Sequence, residues 1–329
     1  MASINLDPPR AQPLYQVNHK CATKTPPPAA GLAYVTNSAD DSVSVINTTY
    51  DRLITTIRNV GRRPIGIDVS PTGRRVYVAN QGDNGGGSVT VIDTTTNTII
   101  GTIKLPGNNL YDIVIAPNGK KAYLTDPRNG RVKVLSLAKC VLLREIVVGG
   151  SPAGLAITPD GCKVYVANNR LPEVAVIDVR NDRIMATINV GGISEGVEVN
   201  PNGREAYVTL LQDNRVAVID VLRDQIGPLG YITVGTSPWD VAVSAQGEKL
   251  YVTNFGDNTV SVVNLGSGDI LDVLGVGLGP RGIDIDYREG RAYVVNNRND
   301  TVSVIDTVID RVIDTIVVED APEQVVAIG

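Results

Sequence analysis

From residue 28 onward the chain alternates apolar and polar positions in short runs, each closed by Gly, Pro, Asn or Asp. Alternation with a period of two is the pattern of β-strands, and only strand-like segments stand between the turn residues. The stretch 64–107 can be parsed in full. It predicts strands at 65–70, 75–79, 88–92 and 98–105. Pro71-Thr72-Gly73 makes a tight turn, because Pro presets φ and Gly supplies a positive φ. Residues 80–87 form a polar loop and 93–97 a turn, giving four antiparallel strands in one small sheet.

The same pattern returns around a repeated phrase. Tyr34-Val35-Thr36-Asn37, Tyr77-Val78-Ala79-Asn80, Tyr123-Leu124-Thr125-Asp126, Tyr165-Val166-Ala167-Asn168, Tyr207-Val208-Thr209-Leu210, Tyr251-Val252-Thr253-Asn254 and Tyr293-Val294-Val295-Asn296 lie 42 to 46 residues apart. A period in the forties built only of strands predicts a β-propeller with one blade per repeat. Blade starts recur at Pro152, Pro238 and Pro280, and more loosely at Leu110 and Ser194. Pro28 aligns with Pro71, so the first blade begins at its second strand, and 322–328 is left as an orphan first strand. Pairing that segment with 32–36 closes the ring and hides its free edges. The expected fold is therefore all-β, a seven-bladed β-propeller of four-stranded antiparallel blades over 28–329. The C-terminal strand joins the N-terminal blade in a one-plus-three seam, and a Pro-rich arm, 1–27, precedes the ring as an extended or disordered segment.

The Tyr-Val-Thr-Asn phrase, followed by Ser-Val-Ser-Val-Ile-Asn and later by Val-Gly-x-x-Pro-x-Gly, resembles the YVTN family of propeller repeats. That family includes YncE-like proteins and archaeal surface-layer propellers, and the resemblance spans 28–329. It implies the fold. It leaves function open, because related propellers serve as binding modules, surface proteins and occasional enzymes.

Composition narrows the chemistry. The net charge of −5, from 35 acidic and 30 basic residues, gives no generic attraction to nucleic acid or anionic membranes. No apolar run is long enough to cross a bilayer. Cys21, Cys140 and Cys162 are too few and too scattered for a disulfide framework and read as reduced thiols. The N-terminal segment lacks the apolar stretch of a signal peptide, so the chain reads as cytoplasmic, or exported if a signal has been removed. The single histidine, His19, lies in the arm. A Ser-His-Asp triad within the ring and a His-ligated zinc or haem site are thereby excluded.

What remains is the variation around the ring. The position after the blade-opening Pro should sit on the channel rim, and it reads Ile65, Tyr111, Ala153, Glu195, Trp239, Arg281 and Glu323. A purely structural position would repeat one residue type. The following Gly is itself replaced by Asp112, Asp240 and Gln324, and the Asn ending strand two gives way to Asp126 and Leu210. Phe255, the only Phe, falls in a loop close to Trp239, the only Trp. Together they form either a stacking wall for a planar ligand or a cover over an apolar gap. Arg63, Arg128, Arg170, Arg281 and Arg298 share these loops with the acids, as solvated ion pairs. A sharper reading has Arg281 and Arg298 gripping a carboxylate or phosphate, since the planar guanidinium fork makes bidentate bonds.

The candidate ligand-binding set is Arg63, Tyr111, Glu195, Trp239, Phe255, Arg281, Arg298 and Glu323. Tyr111, Asp112, Glu195 and Asp240 are the candidates for acid–base catalysis. No cofactor is predicted, although an oxygen-only Ca²⁺ or Mg²⁺ site stays open at Asp112, Glu195, Asp240 and Glu323. Asp68, Glu198 and Asp284 share one first-strand position, where burial calls for an Arg or a cation as partner. The expectation is a monomeric binding propeller that engages a small molecule, peptide or protein at the channel mouth, with nucleic acid disfavoured. The alternative is a lyase, cyclase or hydrolase working at the same mouth without histidine.

Overall fold

The computed structural model describes residues 31–83, 86–105 and 109–329, so the expected arm, with His19 and Cys21, lies outside the described residues. Seven four-stranded antiparallel sheets form the ring. Blade two, Pro64–Val69, Arg75–Asn80, Ser88–Asp93 and Thr98–Lys104, matches the sequence reading to within a residue or two at each end. The seam is also as expected: Pro322–Ile328 pairs antiparallel with Leu32–Asn37, setting Leu32 opposite Ile328 and Tyr34 opposite Val326. Among the described residues the sole helix is a single 3₁₀ turn at Pro127–Asn129.

Burial follows from stacking blades around an axis. Leu32–Asn37, a second strand, is buried throughout, while the outermost strand of the same blade, Arg52–Arg58, is mostly exposed. Blades splay apart with distance from the axis, so only their inner strands are covered on both faces. Between blades four and five, Val174, Val176 and Ile188 meet Val197, Val208 and Ile219.

The repeated Tyr is a latch between blades. The hydroxyls of Tyr123, Tyr165, Tyr251 and Tyr293 donate to Asp182, Asp224, Asp310 and Asp51 at 2.6–2.7 Å, and Tyr34 donates to Asn97 at 2.6 Å. Each acceptor sits in the turn between strands three and four of the next blade, at φ of 49–53°. Asp and Asn tolerate that left-handed backbone better than most residues. Cys140 occupies the matching position opposite Tyr77, and Tyr207 turns instead to Glu205 of its own blade. Tyr251→Phe removes a charge-assisted bond, and the expected loss is about 2 kcal/mol in chemical unfolding. Tyr77→Phe, with no carboxylate opposite it, should cost less.

The exceptions to the strand-two Asn are compensated inside the blade. The Nδ2 groups of Asn37, Asn254 and Asn296 each donate to two hydroxyls of the adjacent third strand at 2.9–3.0 Å. In blade three Asp126 replaces the Asn and Lys133 replaces the hydroxyl, with Nζ 3.4 Å from Asp126 and both side chains buried. In blade five the pair becomes Leu210 and Ala217, both fully buried.

Candidate functional site

Most rim residues sit in a bulge. In the first strands of blades two, four, five, six and seven, two residues oppose one on the second strand. Ile65-Gly66, Glu195-Gly196, Trp239-Asp240 and Arg281-Gly282 are such pairs. The extra residue bends the strand there and re-aims the side chains beside it. Gly is needed wherever the neighbouring blade comes closest. A Cβ on Gly66 would lie 2.6 Å from the Asp112 Cα, and one on Gly196 would lie 2.7 Å from the Trp239 carbonyl oxygen.

These side chains enclose a cavity of about 180 Å³ that runs from the mouth into the channel. Among the described residues seven carboxylic side chains line it and no basic one does. Counted from the blade-opening residue, Glu195 and Glu323 hold the second position, Asp112 and Asp240 the third, and Asp68, Glu198 and Asp284 the fifth, so the sets step inward from the rim along the strands.

At the rim, Tyr111 donates to Glu195 Oε1 at 2.5 Å and Asn169 donates to Oε2. Glu323 accepts from Ser38 at 2.9 Å and from Arg281. The Arg281 guanidinium lies 4.7 Å above the Trp239 ring and 5.6 Å from Phe255, whose other neighbour is Arg298 at 4.4 Å. The two rings are 5.2 Å apart and tilted by 37°. Two expectations change here. Guanidinium groups lie against both rings, so part of the expected stacking surface is taken, while Trp239 still lines the cavity. Arg281 gives one terminal nitrogen to Glu323, while its Nε is buried with no hydrogen-bond partner among the described residues, so its fork is engaged only in part.

The acids inside the channel are held by peptide groups. Asp68 accepts from the Val69 amide at 2.6 Å and from Ile115 of the next blade at 2.5 Å. Asp112 does the same with Ile113 and Leu155, both at 2.8 Å, and Asp284 with Ile285 and Ala327, both at 2.8 Å. Asp240 takes Val241 at 2.9 Å and Ile283 at 3.3 Å, and Gln324 adds a bond at 3.0 Å. Asp68 and Asp284, where an Arg or a cation was expected, face no Arg among the described residues and each accept an N–H of the neighbouring blade. Among the described residues Glu198 receives no amide from the next blade.

Burial is the main force on these groups, and the crowd of like charges adds to it, while the amide bonds oppose both. Asp68, Asp112 and Asp284 are pushed up to about 7 and Asp240 to about 6. Burial also raises Glu195, against its bonds from Tyr111 and Asn169. Glu198 lies well above the carboxylate range, through burial and then the charges of Asp284 and Asp240.

The other sequence candidates are placed as follows. Tyr111, Asp112, Glu195, Trp239, Asp240 and Glu323 come together on the cavity wall, with Arg281 and Phe255 packed behind Trp239. Arg298 is an exposed residue of the outer rim, and Arg63 is exposed and off the cavity wall. Among the described residues only Arg281 of the five loop arginines forms an ion pair. Asn169 was missed: it follows the strand-two Asn168, and nothing in its own repeat marks it as a ligand of Glu195. Cys140 and Cys162 are free thiols away from the cavity. No group of three or more Asp, Glu, Cys or His among the described residues is gathered closely enough to hold a metal ion. No helix among them is long and apolar enough to cross a membrane.

The ring resembles solved propellers of differing function. Kuenenia stuttgartiensis hydrazine synthase is 19% identical, with 90% of this chain and 100% of that chain covered and a TM-score of 0.75. A putative 6-phosphogluconolactonase of Bacteroides uniformis ATCC 8492 is 15% identical, covering 90% and 98%, with a TM-score of 0.77. The dihydro-heme d1 dehydrogenase NirN, solved in complex with DHE, is 14% identical, covering 95% and 80%, with a TM-score of 0.70. At these identities the likeness is one of fold. No curated protein matches in sequence. The family model of the YncE-like β-propeller matches residues 17–329, nearly the whole chain, which therefore belongs to that family.

Proposed function

We propose that this is a binding propeller that takes a small, positively charged molecule into its channel mouth. The observation that carries the reading is the cavity wall, with seven carboxylic groups and no base among the described residues. Confined like charges of this kind are relieved by protons or by a cation, and a low-dielectric wall strengthens the attraction for either. Size sets the class of ligand. The cavity of about 180 Å³ is below the roughly 300–1,000 Å³ of pockets for drug-sized molecules. Arg281, stacked on Trp239 and bound to Glu323, forms a fixed lip beside the opening and confines access to small groups.

The test is a thermal-shift series at pH 8 with small organic and inorganic cations beside neutral analogues of the same shape. A cation at 100 times its dissociation constant should add about 2.7 kcal/mol of stability. Asp112→Asn and Trp239→Ala should reduce that gain. Equal responses to a cation and its neutral analogue would sink the reading.

One observation favours a catalytic use of the same mouth. Tyr111 and Glu195 share a 2.5 Å hydrogen bond, and the Glu195 carboxyl holds its proton more tightly than usual. A carboxyl of that kind is poised to act as a general acid. Turnover abolished by Glu195→Gln, with ligand affinity retained, would support this second reading.

A further inference from the structure

The carboxylates are not spread evenly down the channel. Asp112 and Asp240 hold the third position of their first-strand segments, and Asp68, Glu198 and Asp284 hold the fifth. Alternate residues of a strand face the same side, so both sets project into one cavity, as its lining shows. Two residues of strand separate the tiers by about 7 Å. Blades three and six supply the upper tier and blades two, five and seven the lower, so each tier draws on separated blades around the axis.

We infer that the occupant is a linear α,ω-diammonium compound of about four carbons, one ammonium in each tier. This rests on the cation-binding reading above. An extended chain advances about 1.2 Å per bond, which sets two nitrogens joined through four carbons about 6 Å apart. Two cations at that spacing meet both tiers at once. The Asp carboxylates are already oriented by two amides each, so they need little reorganisation to accept an ammonium. Glu198 reaches no next-blade amide, and it stands in the deeper tier with the charges of Asp284, Asp240 and Asp68 around it. It is the group most in need of a counter-charge and the natural seat for the inner ammonium. A metal ion fits less well, because no three acids converge on one point among the described residues. Entry of the diammonium displaces carboxyl protons, so occupancy should weaken as pH falls below about 7, where Asp68, Asp112 and Asp284 take up protons.

Calorimetric titration of the full chain at pH 8 and low ionic strength tests this with 1,4-diaminobutane, n-butylamine, and magnesium or calcium chloride. The diamine should bind at least tenfold more tightly than butylamine. Glu198→Gln should bring the diamine down to the butylamine level while changing butylamine less than twofold. The same substitution should raise the melting temperature of the empty protein at pH 8, because it removes a carboxyl that folding desolvates among other acids. If Glu198→Gln does not fold, Asp68→Asn serves as the lower-tier variant. Equal affinity for diamine and monoamine overturns the two-tier assignment and leaves the cation reading standing. Binding of the metal ions alone does the same. Failure of every cation overturns both.

Discussion

Lys133→Ser should lower the stability of the ring by about 3–5 kcal/mol, the cost of leaving one half of a buried ion pair uncompensated. The Lys133 and Asp126 side chains are 2% and 0% exposed, and their charged atoms lie 3.4 Å apart. Without the ammonium, Asp126 keeps only neutral donors such as the Asn129 amide, 2.8 Å away. Adding Asp126→Asn restores one of the two bonds of blade one, that from Asn37 to Ser44 at 2.9 Å, with Arg131 standing where blade one has Ser42. The double variant should therefore recover to within about 1.5 kcal/mol of wild type, a coupling that independent sites do not show. Glu145, the other partner of Lys133, keeps Arg131 in every variant. Urea unfolding of the two singles and the double measures this. Additive losses would mean that the two positions do not substitute as a unit.

The second large effect is an inverted dependence of stability on pH. In an unfolded chain a carboxyl ionises near pH 4. In the ring Asp68, Asp112 and Asp284 keep their protons up to about 7 and Asp240 up to about 6. Between those limits the folded protein binds more protons than the unfolded chain, so stability falls as pH rises from 4 to 7. Most proteins gain stability across that range. The melting temperature of the empty protein should be higher at pH 5 than at pH 8, by about 5 °C or more. Carboxyls held below their usual range, such as Glu145 beside Lys133 and Asp160 beside Thr158, act in the opposite sense. Their contribution is lost only below about pH 4, so a comparison at pH 5 and 8 isolates the channel. Asp68→Asn and Asp284→Asn should flatten the profile. A bound cation at pH 8 should flatten it too, by relieving the same charges. A melting temperature that is level, or higher at pH 8, would falsify the assignment of raised channel carboxyls.

Much of the fold was legible in the residues because a blade is a local object. Period-two runs, Pro-x-Gly turns and the Tyr phrase recur within each 42–46 residues. Their spacing also revealed the orphan strand 322–328, which the structure pairs with Leu32–Asn37. The rim residues Tyr111, Glu195, Trp239 and Glu323 were legible because they break a repeated position. Their neighbours were not. Asn169 gives no signal in its own repeat, and Arg63 looks like a rim residue in sequence yet stands outside the cavity. The role of the repeated Tyr was hidden for a related reason. Its acceptor lies about sixty residues on, as Asp182 does for Tyr123, in a turn that also reads as a self-sufficient Asx turn.

The sequence by itself determined a closed seven-bladed ring, its seam, and the set of positions free to carry function, because strand period and turn chemistry act between residues close along the chain. Only the tertiary structure decided that acids from six blades face one small cavity, that peptide groups of the next blade hold four of them, and that guanidinium groups lie against the aromatic rings. Those outcomes depend on how closely neighbouring blades approach at Gly66 and Gly196. A carboxylate's charge state follows from what surrounds it in space, and here those surroundings come from blades far apart in the chain.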